Sequence, residues 1–186
     1  GAWGAYTTPT QEGSYRVEVR QTDVAGNVSP TQVLGFVLDS TAPTLTIDGV
    51  AGNNVVNAAE KAAGVLVSGS SNAEAGQTVS VVWGSVSRNA TVGQDGRWQT
   101  LFAAADVPAD AASTLTANVS DVAGNAALQA SRAVRVDTVA PVVAIDRLTD
   151  GAGVPGDDDN ILNLAERSAI DVANGWTLTG TASGAE

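Results

Sequence analysis

An all-β fold of tandem antiparallel β-sandwiches follows from three features of the 186-residue sequence. Apolar residues alternate with polar ones in short runs, the spacing of half-buried strands rather than of helices. Those runs are cut every few residues by Gly, Asn, Asp and Pro, which supply the backbone angles and side-chain acceptors that turns need. Whole blocks of sequence also recur at a fixed offset, so the chain is assembled from repeats.

An internal repeat organises the sequence. Asp23-Val24-Ala25-Gly26-Asn27 returns letter for letter as Asp121-Val122-Ala123-Gly124-Asn125, 98 residues on. Asp39-Ser40-Thr41-Ala42-Pro43 returns as Asp137-Thr138-Val139-Ala140-Pro141, and Thr44–Asp48 matches Val142–Asp146, both at the same offset of 98. With small insertions, Asn54–Glu60 matches Asn160–Glu166, Ser68-Gly69-Ser70 matches Thr179-Gly180-Thr181, and Gly96-Arg97-Trp98 matches Gly1-Ala2-Trp3. One complete unit is expected over 43–140, with the C-terminal part of another copy over 1–42 and the N-terminal part of a third over 141–186. A start without Met, inside an apparent strand, reads as an excerpt from a longer polypeptide.

Strands within the unit follow from period-two alternation. Leu45 and Ile47 share one face; Val65–Ser68, Val79/Val81/Trp83, Val86–Val92, Trp98/Thr100/Phe102, Leu115/Ala117/Val119 and Val134/Val136 supply six more segments. About seven short strands per repeat, separated by turns such as Gln94-Asp95-Gly96, predict an immunoglobulin-like sandwich. Helix is confined to a single turn at Asn57–Lys61 and its counterpart at Asn163–Arg167.

Composition narrows the function. Only 4% of residues are aromatic, and 9 basic against 20 acidic side chains give a net charge of −11, which disfavours nucleic acid and anionic membrane as partners. There is no Cys and no His, which removes disulfides, thiolate nucleophiles, imidazole catalysis and the commonest zinc ligands. Carboxylate catalysis needs burial to raise one pKa, whereas these Asp residues sit in polar loops, so no enzyme is expected. Gly151–Gly156 fits the Gly-x-Gly-x-x-Gly pattern, but the three aspartates after it would repel a phosphate.

In this order, Asp-Xaa-Ala-Gly-Asn, Asp-Xaa-Xaa-Ala-Pro, Asn-Ala-Ala-Glu and Asp-Gly-Arg-Trp resemble the tandem bacterial immunoglobulin-like repeats of giant type I-secreted surface adhesins, the biofilm-associated class. The resemblance covers the whole chain and implies an extracellular stalk on the bacterial cell surface, serving adhesion or biofilm formation, with calcium at the inter-repeat junctions.

The acidic side chains fit that implication, because Ca2+ takes six to eight hard oxygen ligands. Asp23, Asp39 and Asp48, with Asn53, Asn54 and Glu60, are assigned to the first junction; Asp121, Asp137, Asp146, Asp157, Asp158, Asp159, Asn160 and Glu166 to the second. Two carboxylates about 4 Å apart repel by about 4 kcal/mol at an effective dielectric of about 20, which a shared divalent cation would offset. Each residue also has a plainer role. Asp23 and Asp121 suit tight turns, Asp157–Asp159 a solvated loop, and Glu60 and Glu166 helix ends, while Asp39 and Asp137 lead straight into the next repeat.

A carbohydrate- or receptor-binding sandwich is the alternative reading, and the four Trp residues test it. Trp3 and Trp98 stand at equivalent positions, Trp83 alternates with Val79 and Val81, and Trp176 opens a strand, so burial rather than an aromatic platform is expected. The expected partners are neighbouring repeats of the same polypeptide. Because neither terminal fragment buries its apolar face alone, head-to-tail self-association of this excerpt, or fraying, is expected as well.

Overall fold

The computed structural model describes residues 7–149 and 177–184. Its contacts divide the chain into two units that meet between Asp137 and Thr138.

In the first unit an antiparallel hairpin comes first, β1 (Gly13–Val19) paired with β2 (Gln32–Leu38) from Gly13↔Leu38 to Val19↔Gln32. Eight strands and one short helix follow: β3 (Leu45–Ile47), β4 (Val55–Val56), α1 (Ala58–Ala63), β5 (Val65–Ser71), β6 (Thr78–Trp83), β7 (Val86–Thr91), β8 (Arg97–Phe102), β9 (Ala111–Asn118) and β10 (Ala130–Val136). They form a five-stranded sheet, β4-β10-β9-β6-β7, and a three-stranded sheet, β3-β5-β8. Every expected strand of the repeat is present. Period-two reasoning does not reach β4, whose two residues pair in parallel with Arg135 and Val136 and are too few to show a pattern.

The core lies between the sheets. Val79, Val81 and Trp83 of β6, Leu115 and Ala117 of β9, and Val134 and Val136 of β10 face Ile47, Val65, Val67, Trp98 and Phe102. Trp83 and Phe102 meet edge to face at 5.5 Å, joining the two sheets through the favoured quadrupole geometry. Burying each such side chain contributes about 1.5–3 kcal/mol, so this layer dominates the stability of the sandwich. Gly69 makes the packing feasible: a Cβ there would lie 2.0 Å from the Thr46 carbonyl oxygen and 2.4 Å from the Trp98 ring.

The predicted turn at Asn57–Lys61 is α1. Asn57 Oδ1 accepts from the backbone N–H groups of Ala59 and Glu60, while Glu60 Oε2 accepts from the Asn57 N–H, a reciprocal capping box that satisfies the exposed helix donors. Lys61 Nζ then donates to the Pro108 carbonyl at 2.8 Å, tying the helix to the segment that enters β9.

The second unit contains the antiparallel pair β11 (Val142–Thr149) and β12 (Thr177–Ser183). Its register shifts between Ile145 and Arg147, which leaves Asp146 at a bulge. The helical turn expected at Asn163–Arg167 lies outside the described residues.

Candidate inter-repeat junction

The linker between β2 and β3 runs from Asp39 to Thr44, and hydrogen bonds from both sides hold it. On the β2 side, Glu12 Oε1 accepts from the Ser40 N–H at 3.0 Å, the Ser40 hydroxyl at 2.8 Å and the Thr41 hydroxyl at 2.6 Å. These donors favour the charged carboxylate and hold the Glu12 pKa below its ordinary value, Thr41 contributing most. On the sandwich side, Asn72 Oδ1 accepts from the Thr44 N–H at 2.6 Å and its hydroxyl at 3.0 Å, and the Ser71 hydroxyl donates to the Thr44 carbonyl at 2.7 Å.

The Asp121–Asn125 loop sits at this same end. Gly124 takes φ +94°, a conformation glycine enters without penalty, and its N–H donates to the Asp121 carbonyl at 3.2 Å. Asn125 donates twice to the Asp121 carboxylate, from its backbone N–H to Oδ1 at 2.7 Å and from Nδ2 to Oδ2 at 2.9 Å. Nδ2 donates again, at 3.2 Å, to the carbonyl of Asp39. Glu74 Oε2 accepts from the Val122 N–H at 3.1 Å and anchors the loop to the sandwich. The Asn125 side chain is the main reason the Asp121 pKa lies below the usual aspartate range. Asp23 is lowered in the same way by Asn27, in a loop with the same internal hydrogen bonds.

This placement corrects the sorting of the acidic residues by junction. Asp121, assigned to the second junction, lies with Asp39 at the first. Asn53, Asn54 and Glu60, assigned to the first, belong to the opposite end. The Asn54 carbonyl accepts from the Arg135 N–H and the Val56 carbonyl from the Asp137 N–H, both at 2.9 Å, and Glu60 caps the helix that begins just after β4. Asn53 and Asn54 accept from the Val55 and Val50 N–H groups respectively, shaping the loop before β4. The physical reason is that each strand carries the chain from one end of the sandwich to the other, so nearness to a boundary in sequence does not select the end.

Asp48 is set back from both ends. Its Oδ2 accepts from Ser68 Oγ and from Arg97 Nη2, each at 3.1 Å, so the three-stranded sheet itself partners this charge. Asp137 pairs with Arg135 at 3.4 Å. Asp157, Asp158, Asp159, Asn160 and Glu166 lie outside the described residues. Among the described residues no three acidic side chains converge as a metal site. Each oxygen of Asp121 accepts from Asn125, and Asn125 also reaches the Asp39 carbonyl, so direct hydrogen bonds tie this end of the sandwich to the linker.

Glu12, Asn72 and Glu74 were not singled out by sequence. A signal existed for Glu12 alone: Asp110 stands 98 residues further on, so an acidic residue precedes the hairpin in both copies. Trp83 and Trp98 are 0% and 2% exposed, which removes them as a stacking face for sugars.

Residues 5–95 match the sequence profile of the bacterial Ig-like domain, group 3. An Ig-like domain from the ice-binding adhesin of M. primoryensis is 31% identical, with 52% of this chain and 99% of that one aligned and a TM-score of 0.42. A Ca2+-stabilized adhesin that helps an Antarctic bacterium reach out and bind ice is 29% identical over 73% of this chain, with a TM-score of 0.46. A tetra-tandem repeat from the extending region of a large adhesion protein is 28% identical over 73% of this chain, with a TM-score of 0.49. The chain spans 35% of the length of each of these last two structures. No curated protein matches it. By the profile match over residues 5–95 and the all-β sandwich they form part of, this part of the chain belongs to the bacterial Ig-like domain family.

Proposed function

We propose that the chain is a stalk segment of a bacterial surface adhesin, divided into repeats at 1–42, 43–140 and 141–186, whose role is to set distance rather than to catalyse. The carrying observation is where the sandwich takes in and gives out the chain. The entry at Asp39 touches the loop that precedes β10, and β10 then runs its seven residues away from it to the exit at Asp137. Seven strand residues span about 23 Å, so entry and exit stand at opposite ends of the sandwich, as a segment that sets distance requires. The Pro-containing linkers Thr41-Ala42-Pro43 and Val139-Ala140-Pro141 restrict bending between repeats. Extension at the cell surface, in support of adhesion or biofilm formation, is the role this reading gives the segment.

Calcium at the junctions is the finer part of the reading. It is supported by the excess of carboxylates and by the position of Asp39 and Asp137 at the two linker entries. Among the described residues Asp39 contributes a carboxylate oxygen that already accepts from the Thr41 N–H at 3.1 Å, so a bound ion would have to draw further oxygens toward it. Small-angle scattering of the chain in calcium and in chelator tests the proposal, with isothermal titration alongside. Stiffening and heat on calcium addition are expected; identical scattering profiles and no heat would remove calcium from the account while leaving the entry and exit of the sandwich at its opposite ends.

For the isolated chain, head-to-tail pairing of two molecules is the corresponding partner proposal. It is supported by Ile145, which is 71% exposed although its equivalent Ile47 is 5% exposed. Sedimentation velocity over a range of concentrations checks it, a single concentration-independent monomer being the result against it.

A further inference from the structure

We infer that the Asp-Xaa-Ala-Gly-Asn loop is an inter-repeat latch: the aspartate aims the asparagine amide, and the amide binds the carbonyl at the end of the last strand of the preceding repeat. The inference rests on the tandem-stalk reading above.

A side-chain amide nitrogen carries two hydrogens. In the Asp121–Asn125 loop both have acceptors, one the Asp121 carboxylate at 2.9 Å and the other the Asp39 carbonyl at 3.2 Å. The turn itself does not require this arrangement. Closing the loop uses the Asn125 backbone N–H on Asp121 Oδ1 and the positive φ of Gly124, and neither involves the Asn125 side chain. What the amide adds is a donor held in place at one hydrogen and presented outward at the other. Asp39 receives it through its backbone, so the contact does not depend on the identity of the side chain at the strand end.

The Asp23–Asn27 loop supplies the comparison. Asn27 donates to Asp23 from its backbone N–H and from Nδ2, each at 2.8 Å, so the amide is aimed in the same way. Among the described residues that Nδ2 donates to Asp23 only. Asp121 is 8% exposed beneath its latch, whereas Asp23 is exposed. The partner that fits Asn27 is therefore the last-strand carbonyl of an Ig-like repeat placed before it, equivalent to Asp39.

Side-chain amide NMR on the 186-residue chain tests this without any substitution. Slowed exchange is expected for both Nδ2 hydrogens of Asn125 but for only one of Asn27, and equal behaviour of the two residues would overturn the latch. Asn125→Ala and Asn27→Ala extend the test, because both delete the intraloop amide bond and only the first deletes the bond to Asp39. From 15N relaxation, Asn125→Ala is expected to lower the docked population of residues 13–38 on the sandwich by about fivefold, the loss of one neutral hydrogen bond. Asn27→Ala is expected to leave it unchanged, and any other pattern overturns the inference. The wild-type exchange measurement decides the matter if Asn125→Ala does not fold. Neither result bears on the scattering test of the stalk, so the two readings fail separately.

Discussion

Ile47 and Ile145 hold equivalent places in the repeat, yet the first is 5% exposed and the second 71%. The same contrast separates β9 from β1. Leu115 and Ala117 are fully buried between two sheets, while their equivalents Val17 and Val19 lie half-buried on a hairpin. Local sequence is alike in each comparison; among the described residues, what differs is the company of the strand, since β9 is paired on both sides and faces a second sheet while β1 is paired with β2 alone. In this chain a strand's alternation specifies which side chains are available for burial, and the opposite layer determines whether burial happens.

The largest expected effect tests that contrast directly. Leu115→Ala is expected to lower the unfolding free energy by about 2–5 kcal/mol, because the two sheets cannot collapse around the void. Val17→Ala, at the equivalent position, is expected to cost less than about 1 kcal/mol, since among the described residues no second sheet lies over it. Urea denaturation followed by tryptophan fluorescence measures both, and equal losses would break the comparison.

Gly69→Ala sharpens it from the packing side. The added methyl would meet the Thr46 carbonyl and the Trp98 ring, and we expect a loss of about 1–3 kcal/mol by the same measurement. Gly76→Ala separates clash from backbone strain, because φ is +97° there but nothing lies within 4 Å; its cost is expected near 1 kcal/mol. Asn57→Ala removes the reciprocal cap of α1 and is expected to cost about 1 kcal/mol, seen as a lower melting temperature.

The two Asp-Xaa-Ala-Gly-Asn loops are expected to make stability depend on pH. Asn125 depresses the folded-state pKa of Asp121 and Asn27 that of Asp23, relative to an ordinary value of 3.8. A depressed carboxylate pKa stabilises the folded state above the unfolded value and ceases to do so as pH falls through the folded one. Thermal melts from pH 6 down to about pH 2 are expected to show the acid loss, and Asp121→Asn is expected to flatten it. An unchanged acid limb in that variant would show that the loop carboxylate is not part of the linkage.

The strands were legible because alternation is a local property. Val79, Val81 and Trp83 declare one face in six consecutive residues, and all three are fully buried. The loop was legible for the same reason: Asp, Gly and Asn at fixed spacing specify its internal hydrogen bonds wherever it occurs. β4 was not legible, since two residues carry no period and the strand exists only through its parallel pairing with β10. Nor were Glu74 and Asn72, whose partners Val122 and Thr44 lie 48 and 28 residues away.

The amino-acid sequence by itself determined the repeat, the strand faces, the turn chemistry and the exclusion of thiol and imidazole chemistry, because each depends on neighbours along the chain or on composition. Only the tertiary structure decided which acidic residues share an end of the sandwich. It brought the Asp121–Asn125 loop to Asp39 and Asn54 to Arg135, near the exit at Asp137, and it set Asp48 against Arg97 within a sheet. Each pass of a strand reverses the end at which the chain emerges, and the order of strands in a sheet is a property of long-range pairing. The charges were visible in the sequence, but their company was set by topology.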